Sequence, residues 1–245
     1  MAEGRFQSSI PRTSSFTEVA FRTAVKGPGP LILLALGASL IRRMDENGWG
    51  SLLWLATCTT VKFIRMPFEK ASKDDTFSKH HRQVTDSTVL CLFLLGGALI
   101  PMVHLTTGLL GFANYSLPFW VPAISLLVLA PGVALFRASH VDLGRNWSAA
   151  TELRDGHTLV TTGVYTHVRH PMYTALWMIF SMFPLLIQNW IAGWSSVAAF
   201  ALLYFVRVPY EEGMMQERFG EAYVQYMKRS GRLWPRFGTK VAHQQ

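Results

Sequence analysis

Six apolar blocks of about 14 to 20 residues, at 28–41, 49–64, 89–105, 117–136, 173–187 and 191–206, restrict what this chain can become. Within them the apolar residues run on without the helix or strand period that a protein with one wet face shows. A chain built this way needs a solvent in which continuous apolar surface is tolerated, and its backbone polar groups must then be satisfied inside helices. At 1.5 Å of rise per residue, the third and fourth blocks suffice for a hydrocarbon layer of about 30 Å. The first two are shorter. The first opens on Gly-Pro-Gly-Pro, and the second carries Lys62 near its end, where a long side chain can snorkel to the headgroups.

Half of the 245 residues are hydrophobic and only 16% are charged, which excludes disordered and collagen-like chains. Cys58 and Cys91 both fall inside apolar blocks, so neither a disulfide framework nor a cysteine metal site is on offer, and they read as small buried hydrophobes. The net charge of +8 invites a nucleic-acid reading, but no basic run is interleaved with aromatic residues as such a surface requires. Sidedness explains the charge. If all six blocks cross, one set of alternate loops holds 21 of the 23 Lys and Arg residues and the other holds 2. The positive-inside rule then puts both termini and the loops 65–86 and 137–172 on the cytosolic side. Residues 1–27 read as a polar tail, because the first apolar stretch starts too far in for an ordinary cleaved signal.

Blocks five and six are separated by Gln-Asn-Trp alone and contain Pro184 and Gly193, which predicts a tight helical hairpin that crosses fully or is tilted and re-entrant. The expected fold is all-α: a polytopic membrane helix bundle of about five to six spans with a C-terminal helical hairpin and a pocket on the cytosolic face. Arg169 and His170 stand where the hairpin begins; Arg207, Glu211 and Glu212 stand where it ends. Charges at the ends of a packed apolar hairpin are paired or functional, and antiparallel packing gathers these into one polar pocket. Singly, each has an ordinary reading. The arginines suit interfacial anchors, Pro171 suits the first position of a helix, the two glutamates suit an exposed first turn, and Tyr165, Tyr173, Tyr223 and Tyr226 suit an aromatic belt.

Their joint spacing is more specific. Gly-Val-Tyr-x-x-x-Arg-His-Pro-x-Tyr, then after the hairpin Arg-x-x-x-Glu-Glu and Phe-Gly-x-x-Tyr-x-x-Tyr, resembles the integral-membrane methyltransferases of the isoprenylcysteine carboxyl methyltransferase and phospholipid methyltransferase group. The stretch His-Thr-Leu-Val-Thr-Thr-Gly-Val-Tyr at 157–165 is similar to the prenylcysteine branch. The resemblance covers roughly residues 136–237 and reaches the preceding spans only in hydropathy. It implies a polar tail at 1–27, membrane spans at 28–135, a catalytic region at 136–237 and a terminal tail at 238–245.

It further implies S-adenosylmethionine as cofactor. His157, Thr158, Leu159, Val160 and Tyr165 would line it, and His170, Pro171, Met172 and Tyr173 would wall it at the hairpin entrance. Glu211 would meet its ammonium, Arg207 would face the acceptor, and Arg207 and Arg169 are the catalytic candidates. The implied partners are prenylated protein C-termini or another lipid-like acceptor, together with membrane lipids, with no nucleic acid and no metal; the implied place is the endoplasmic reticulum membrane, catalytic face to the cytosol. Two departures bear on the acceptor: Ala150 stands where the prenylcysteine enzymes have a polar residue, and Lys-Arg-Ser-Gly-Arg-Leu-Trp-Pro at 228–235 is closer to the bacterial and phospholipid branch.

The chemistry agrees with that set. A cofactor bearing a sulfonium, an ammonium and a carboxylate needs an acid, hydrogen-bond donors and an apolar cradle, and no strand-helix alternation is present to carry the Gly-rich turn of soluble nucleotide sites. An acceptor carboxylate is already ionised at neutral pH, so alignment and desolvation limit the rate and no base is needed. A lipid amine or a small isoprenoid or phenolic acceptor remains open, and an amine would call for a base near Tyr165 or His170. A sterol-type membrane reductase holding NADPH and a non-catalytic scaffold are the readings from other classes.

Overall fold

The six blocks become helices, and the described segments between them are held by both backbone and side-chain hydrogen bonds. A computed structural model of the protein describes residues 29–73, 84–148 and 156–236. The tails at 1–27 and 238–245 and the departure at Ala150 lie outside the described residues. The first block gives α1 (Gly29–Arg42), followed by one turn, α2 (Met44–Asn47), and the second gives α3 (Gly50–Lys73). The third is a broken rod, α4 (Val84–Leu94), a π-turn (Leu95–Leu99) and α5 (Ile100–Thr107). The fourth is α6 (Val121–Leu143), and the last two form the hairpin of α7 (Pro171–Ile187) and α8 (Ala192–Phe219), with the short α9 (Glu221–Arg229) behind it. Among the described residues there is no strand, only isolated bridges.

Among the described residues three stretches are long and apolar enough to cross a membrane: Ser87–Thr107, Val121–Asn146 and Ala192–Phe219. α1 and α7 are apolar but shorter, and α3 passes from apolar to charged along its length. The shortness of α7 has a packing reason. It sits at the centre, against α3, α6 and α8, with Ile179, Phe183, Leu186 and Ile187 fully buried. Outward-facing Leu31, Leu34, Leu127 and Phe205 are all largely exposed. Apolar residues face outward as well as inward, the distribution of a helical membrane protein.

The break in the rod has a cause one turn further on. Pro101 has no N–H and its ring presses on the carbonyl of Gly97, four residues earlier. The backbone widens into a π-turn in which the Ile100 N–H donates to the Leu95 carbonyl. The Gly96 carbonyl is left without its helical donor and accepts from Ser195 Oγ (2.9 Å) and Ser196 Oγ (3.4 Å) of α8.

At the other end of the hairpin the turn is closed by Asn189, which is fully buried. Its Oδ1 accepts from the Ile191 and Ala192 N–H groups (2.9 and 2.8 Å), satisfying orphan donors at the start of α8. Its Nδ2 donates to the Leu110 carbonyl and to Asn114 Oδ1, each at 2.7 Å, so the α5–α6 connection is tied to the same residue.

Candidate functional site

The entrance to α7 is fixed by its local sequence and by contacts from the end of α6 and from α9. Pro171 occupies the first helical position, where its missing N–H is no loss, and His170 precedes it in a non-helical conformation. Ahead of it, Gly163 has φ +61°, and a Cβ there would lie 2.0 Å from Asp142 Oδ2, which accepts from the Val164 N–H at 2.8 Å. Only glycine fits, which accounts for the first letter of the Gly-Val-Tyr motif. Tyr165 then turns inward, donating to the Ser139 carbonyl at 3.3 Å while its own carbonyl accepts from Tyr226 Oη at 2.6 Å.

The segment after α9 returns as a strap along residues 167–170. Arg169 N–H donates to the Gly231 carbonyl (2.9 Å), His170 N–H to that of Arg232 (3.1 Å), and Gly231 N–H to that of His167 (2.9 Å). Thr174 Oγ1 adds a bond to the Leu233 carbonyl at 2.8 Å. A Cβ on Gly231 would lie 1.6 Å from the Trp234 carbonyl oxygen, so the strap is too tight for a side chain there.

The hairpin closes one side of a cavity of about 580 Å³, and the strap braces the hairpin's entrance from behind. His157, Thr158, Leu159, Val160, Tyr165, Arg169, His170, Met172, Tyr173, Arg207 and Glu211 all line it; Pro171 does not, because its ring is committed to the buried start of α7. The two ends of the hairpin meet as the antiparallel geometry requires. Glu211 Oε1 accepts from Tyr173 Oη at 2.6 Å, and Glu211 Oε2 lies 3.9 Å from His170 Nδ1.

The adjacent glutamates divide their work, and neither belongs to a first helical turn, since α8 runs unbroken through both. Glu211 faces the cavity with its side chain 26% exposed; that of Glu212 is 6% exposed. Glu212 Oε1 accepts from Arg169 Nε at 2.7 Å and from Arg232 Nε at 3.2 Å, with His170 Nε2 also 3.2 Å away. Arg232 also pairs with Glu212 Oε2, and Arg169 NH1 donates to the Ser230 carbonyl at 2.8 Å. Arg169 is therefore engaged by Glu212 and the strap, while Arg207 stands on the cavity wall one turn before Glu211.

The belt reading of the tyrosines is not what the structure holds: Tyr165, Tyr173, Tyr223 and Tyr226 are all buried. Burial pushes the hydroxyls of Tyr165 and Tyr223 far above their ordinary range and that of Tyr226 up to about 12. All three are donors at neutral pH.

The opposite wall uses residues that carry no motif. Asn146 Oδ1 accepts from the Thr158 N–H at 3.0 Å and Asn146 Nδ2 donates to Thr158 Oγ1 at 3.1 Å, which pins the 157–160 stretch to the end of α6. From α3, Lys62 Nζ and Arg65 Nε donate to the two oxygens of Glu69 at 2.7 and 2.8 Å. Lys62 is thus paired where it lines the cavity. The Arg65 guanidinium stands 5.2 Å over the Trp147 ring. The spacing 62, 65, 69 places these three on one helix face, the signal by which they could have been found. Among the described residues no three His, Cys, Asp or Glu side chains gather as metal ligands would.

Residues 123–217 match the family model described as the isoprenylcysteine carboxyl methyltransferase family. Protein-S-isoprenylcysteine O-methyltransferase B of Arabidopsis thaliana is 28% identical over 137 residues, 54% of this chain and 68% of that protein. The protein-S-isoprenylcysteine O-methyltransferase of Homo sapiens is 34% identical over 113 residues, 45% of this chain and 39% of that one. A probable protein-S-isoprenylcysteine O-methyltransferase of Oryza sativa subsp. indica is 28% identical over 156 residues, covering 60% of this chain and 79% of its own length. The chain thus spans about two thirds or more of these plant relatives and about two fifths of the human one. The matched segment holds the cavity walls of α6, α7 and most of α8, and it is there that the chain is similar to the isoprenylcysteine carboxyl methyltransferase family.

Proposed function

We propose that the protein uses S-adenosylmethionine to esterify the C-terminal carboxylate of prenylated cysteine, working in the endoplasmic reticulum membrane with its catalytic face to the cytosol and its catalytic region at 136–237. The observation that carries the reading is the division of one cavity. A polar end holds Arg207, Glu211, His170 and Tyr173, and an apolar arm is walled by Leu90, Phe93, Phe180 and Phe183. A small water-soluble acceptor would leave that arm unused.

The donor set fits the cofactor. Glu211 offers a carboxylate to an ammonium, the loop 157–160 and Asn146 offer polar groups from the far wall, and Met214 and Met215 add apolar surface to the same cavity. When bound, S-adenosylmethionine supplies an electrophilic methyl group. Glu211 is held for its part by the Tyr173 hydroxyl, and the loop by its paired bonds to Asn146.

Arg207 is assigned to the acceptor carboxylate, because a guanidinium grips two oxygens in a plane and never titrates in the working range. Arg169 is a positioning residue, fixing His170 and Glu212 against the strap. The tyrosines near the site hold their protons, which suits an acceptor that arrives ionised. The prenyl tail occupies the apolar arm, so the rest of the acceptor stays at the membrane face, and neutralising its terminal charge strengthens its hold on an anionic leaflet.

The test compares methyl incorporation into N-acetyl-farnesylcysteine and into phosphatidylethanolamine, with thermal protection by S-adenosylhomocysteine and by NADPH measured alongside. Turnover of the first acceptor with protection by S-adenosylhomocysteine is expected. Turnover of the lipid amine alone, or protection by NADPH alone, overturns the reading.

A further inference from the structure

The apolar arm can be followed in depth along the helices that wall it. From Met172 to Phe183 the wall contributed by α7 rises about 16 Å at 1.5 Å per residue, with Phe180 about 12 Å along. Facing it, the rod contributes Leu90, Phe93 and Leu94 and then, one turn deeper, Gly97 and Ala98; no residue of α5 lines the cavity. The bulky stripe therefore gives way to two small residues at the π-turn, beyond which the rod no longer lines the cavity.

Gly97 cannot retreat from what lies before it. The neighbouring Gly96 is pressed on α8, where a Cβ would meet Ala199 Cβ at 2.7 Å and the Ser195 carbonyl oxygen at 2.9 Å, and its carbonyl is held by the Ser195 and Ser196 hydroxyls. A Cβ on Gly97 would meet only ring edges, Phe93 Cε2 at 3.4 Å and Phe180 Cε1 at 3.6 Å, both on the cavity wall. A methyl group there is in ordinary contact. Anything longer must project into the arm, because the backbone behind it is fixed.

We propose that Gly97, held against the cavity by the π-turn, determines how long a prenyl chain the protein accepts. The inference rests on the prenylcysteine reading and adds to it the residue that selects among prenyl lengths. Gly97→Leu shortens the arm, and Phe93→Ala, on the same rod, enlarges it.

The experiment measures kcat/KM for the N-acetylcysteine thioethers of geranyl, farnesyl and geranylgeranyl chains, with thermal protection by S-adenosylhomocysteine as the check that each variant folds. Gly97→Leu should lower the geranylgeranyl-to-geranyl ratio about tenfold or more, within the range by which apolar pockets discriminate size. Gly97→Ala should move it in the same sense by less, and Phe93→Ala in the opposite sense. Should Gly97→Leu not fold, the opposed shifts of the other two variants carry the test. A ratio unchanged from wild type in both Gly97→Ala and Phe93→Ala overturns the inference while leaving the prenylcysteine reading intact. A wild-type protein that turns over none of the three thioethers overturns both.

Discussion

Glu211 and Glu212 differ by one position and a helix rotation, and that difference gives them opposite experimental signatures. Glu212→Ala leaves the Arg169 guanidinium, only 7% exposed, without its counter-charge. Removing one member of so buried a pair destabilises by about 3–5 kcal/mol, so the thermal midpoint should fall steeply whether or not ligand is present. Glu211→Gln keeps an oxygen for the Tyr173 hydroxyl, so the midpoint without ligand should hold while protection by S-adenosylhomocysteine weakens. Arg207→Ala should lower turnover about ten- to hundredfold, the worth of a charged hydrogen bond, and spare that protection. Near-normal turnover would remove Arg207 from the acceptor's grip. The sequence makes Arg207, Glu211 and Glu212 visible as charges at the end of an apolar block, but which glutamate faces the cavity depends on how α8 is rotated against α7. Arg232, which completes the Glu212 cluster, lies 20 residues away behind another helix and has no periodic signal to mark it.

Among the elements, the hairpin is the most legible from sequence, because two apolar blocks joined by Gln-Asn-Trp have no other way to pack than back on themselves. The contribution of α3 is the least legible: its polar face closes the cavity across some ninety residues of chain, and hydropathy records only that the block ends in charges. The strap and α9 form a second unit that hydropathy does not show, since it packs around tyrosines, Tyr165, Tyr223 and Tyr226, that are buried with their hydroxyls protonated. This unit has a pH signature. Burial raises all three above the ordinary tyrosine value near 10, so at high pH the unfolded chain releases these protons while the fold retains them. Their contribution is complete below pH of about 10 and is lost as pH climbs through the raised values. The thermal midpoint should drop above pH of about 10, with phenolate absorbance from these residues appearing only as the protein unfolds. Phenolate formation in the still-folded protein would contradict the assignment.

For the molecule as a whole, the charge asymmetry makes a statement that labelling can check. The α5–α6 connection has no Lys or Arg and exposes Phe112, which is 81% accessible, whereas Arg218 lies in the last turn of α8, at the helix's other end from that connection. With Cys58 and Cys91 replaced, cysteine introduced by Phe112→Cys and by Arg218→Cys should react with a membrane-impermeant maleimide from opposite sides of sealed vesicles. Reaction of both from one side would break the topology. The strap also places a demand on the order in which the protein matures. Ser230 to Trp234 leave the ribosome after every residue that lines the cavity, and they anchor both the α7 entrance and Glu212. A chain cut by a protease, or ended by a nonsense codon, just after Arg229 would retain every apolar helix and every residue that lines the cavity, yet the α7 entrance and Glu212 would lack the bonds that hold them in place.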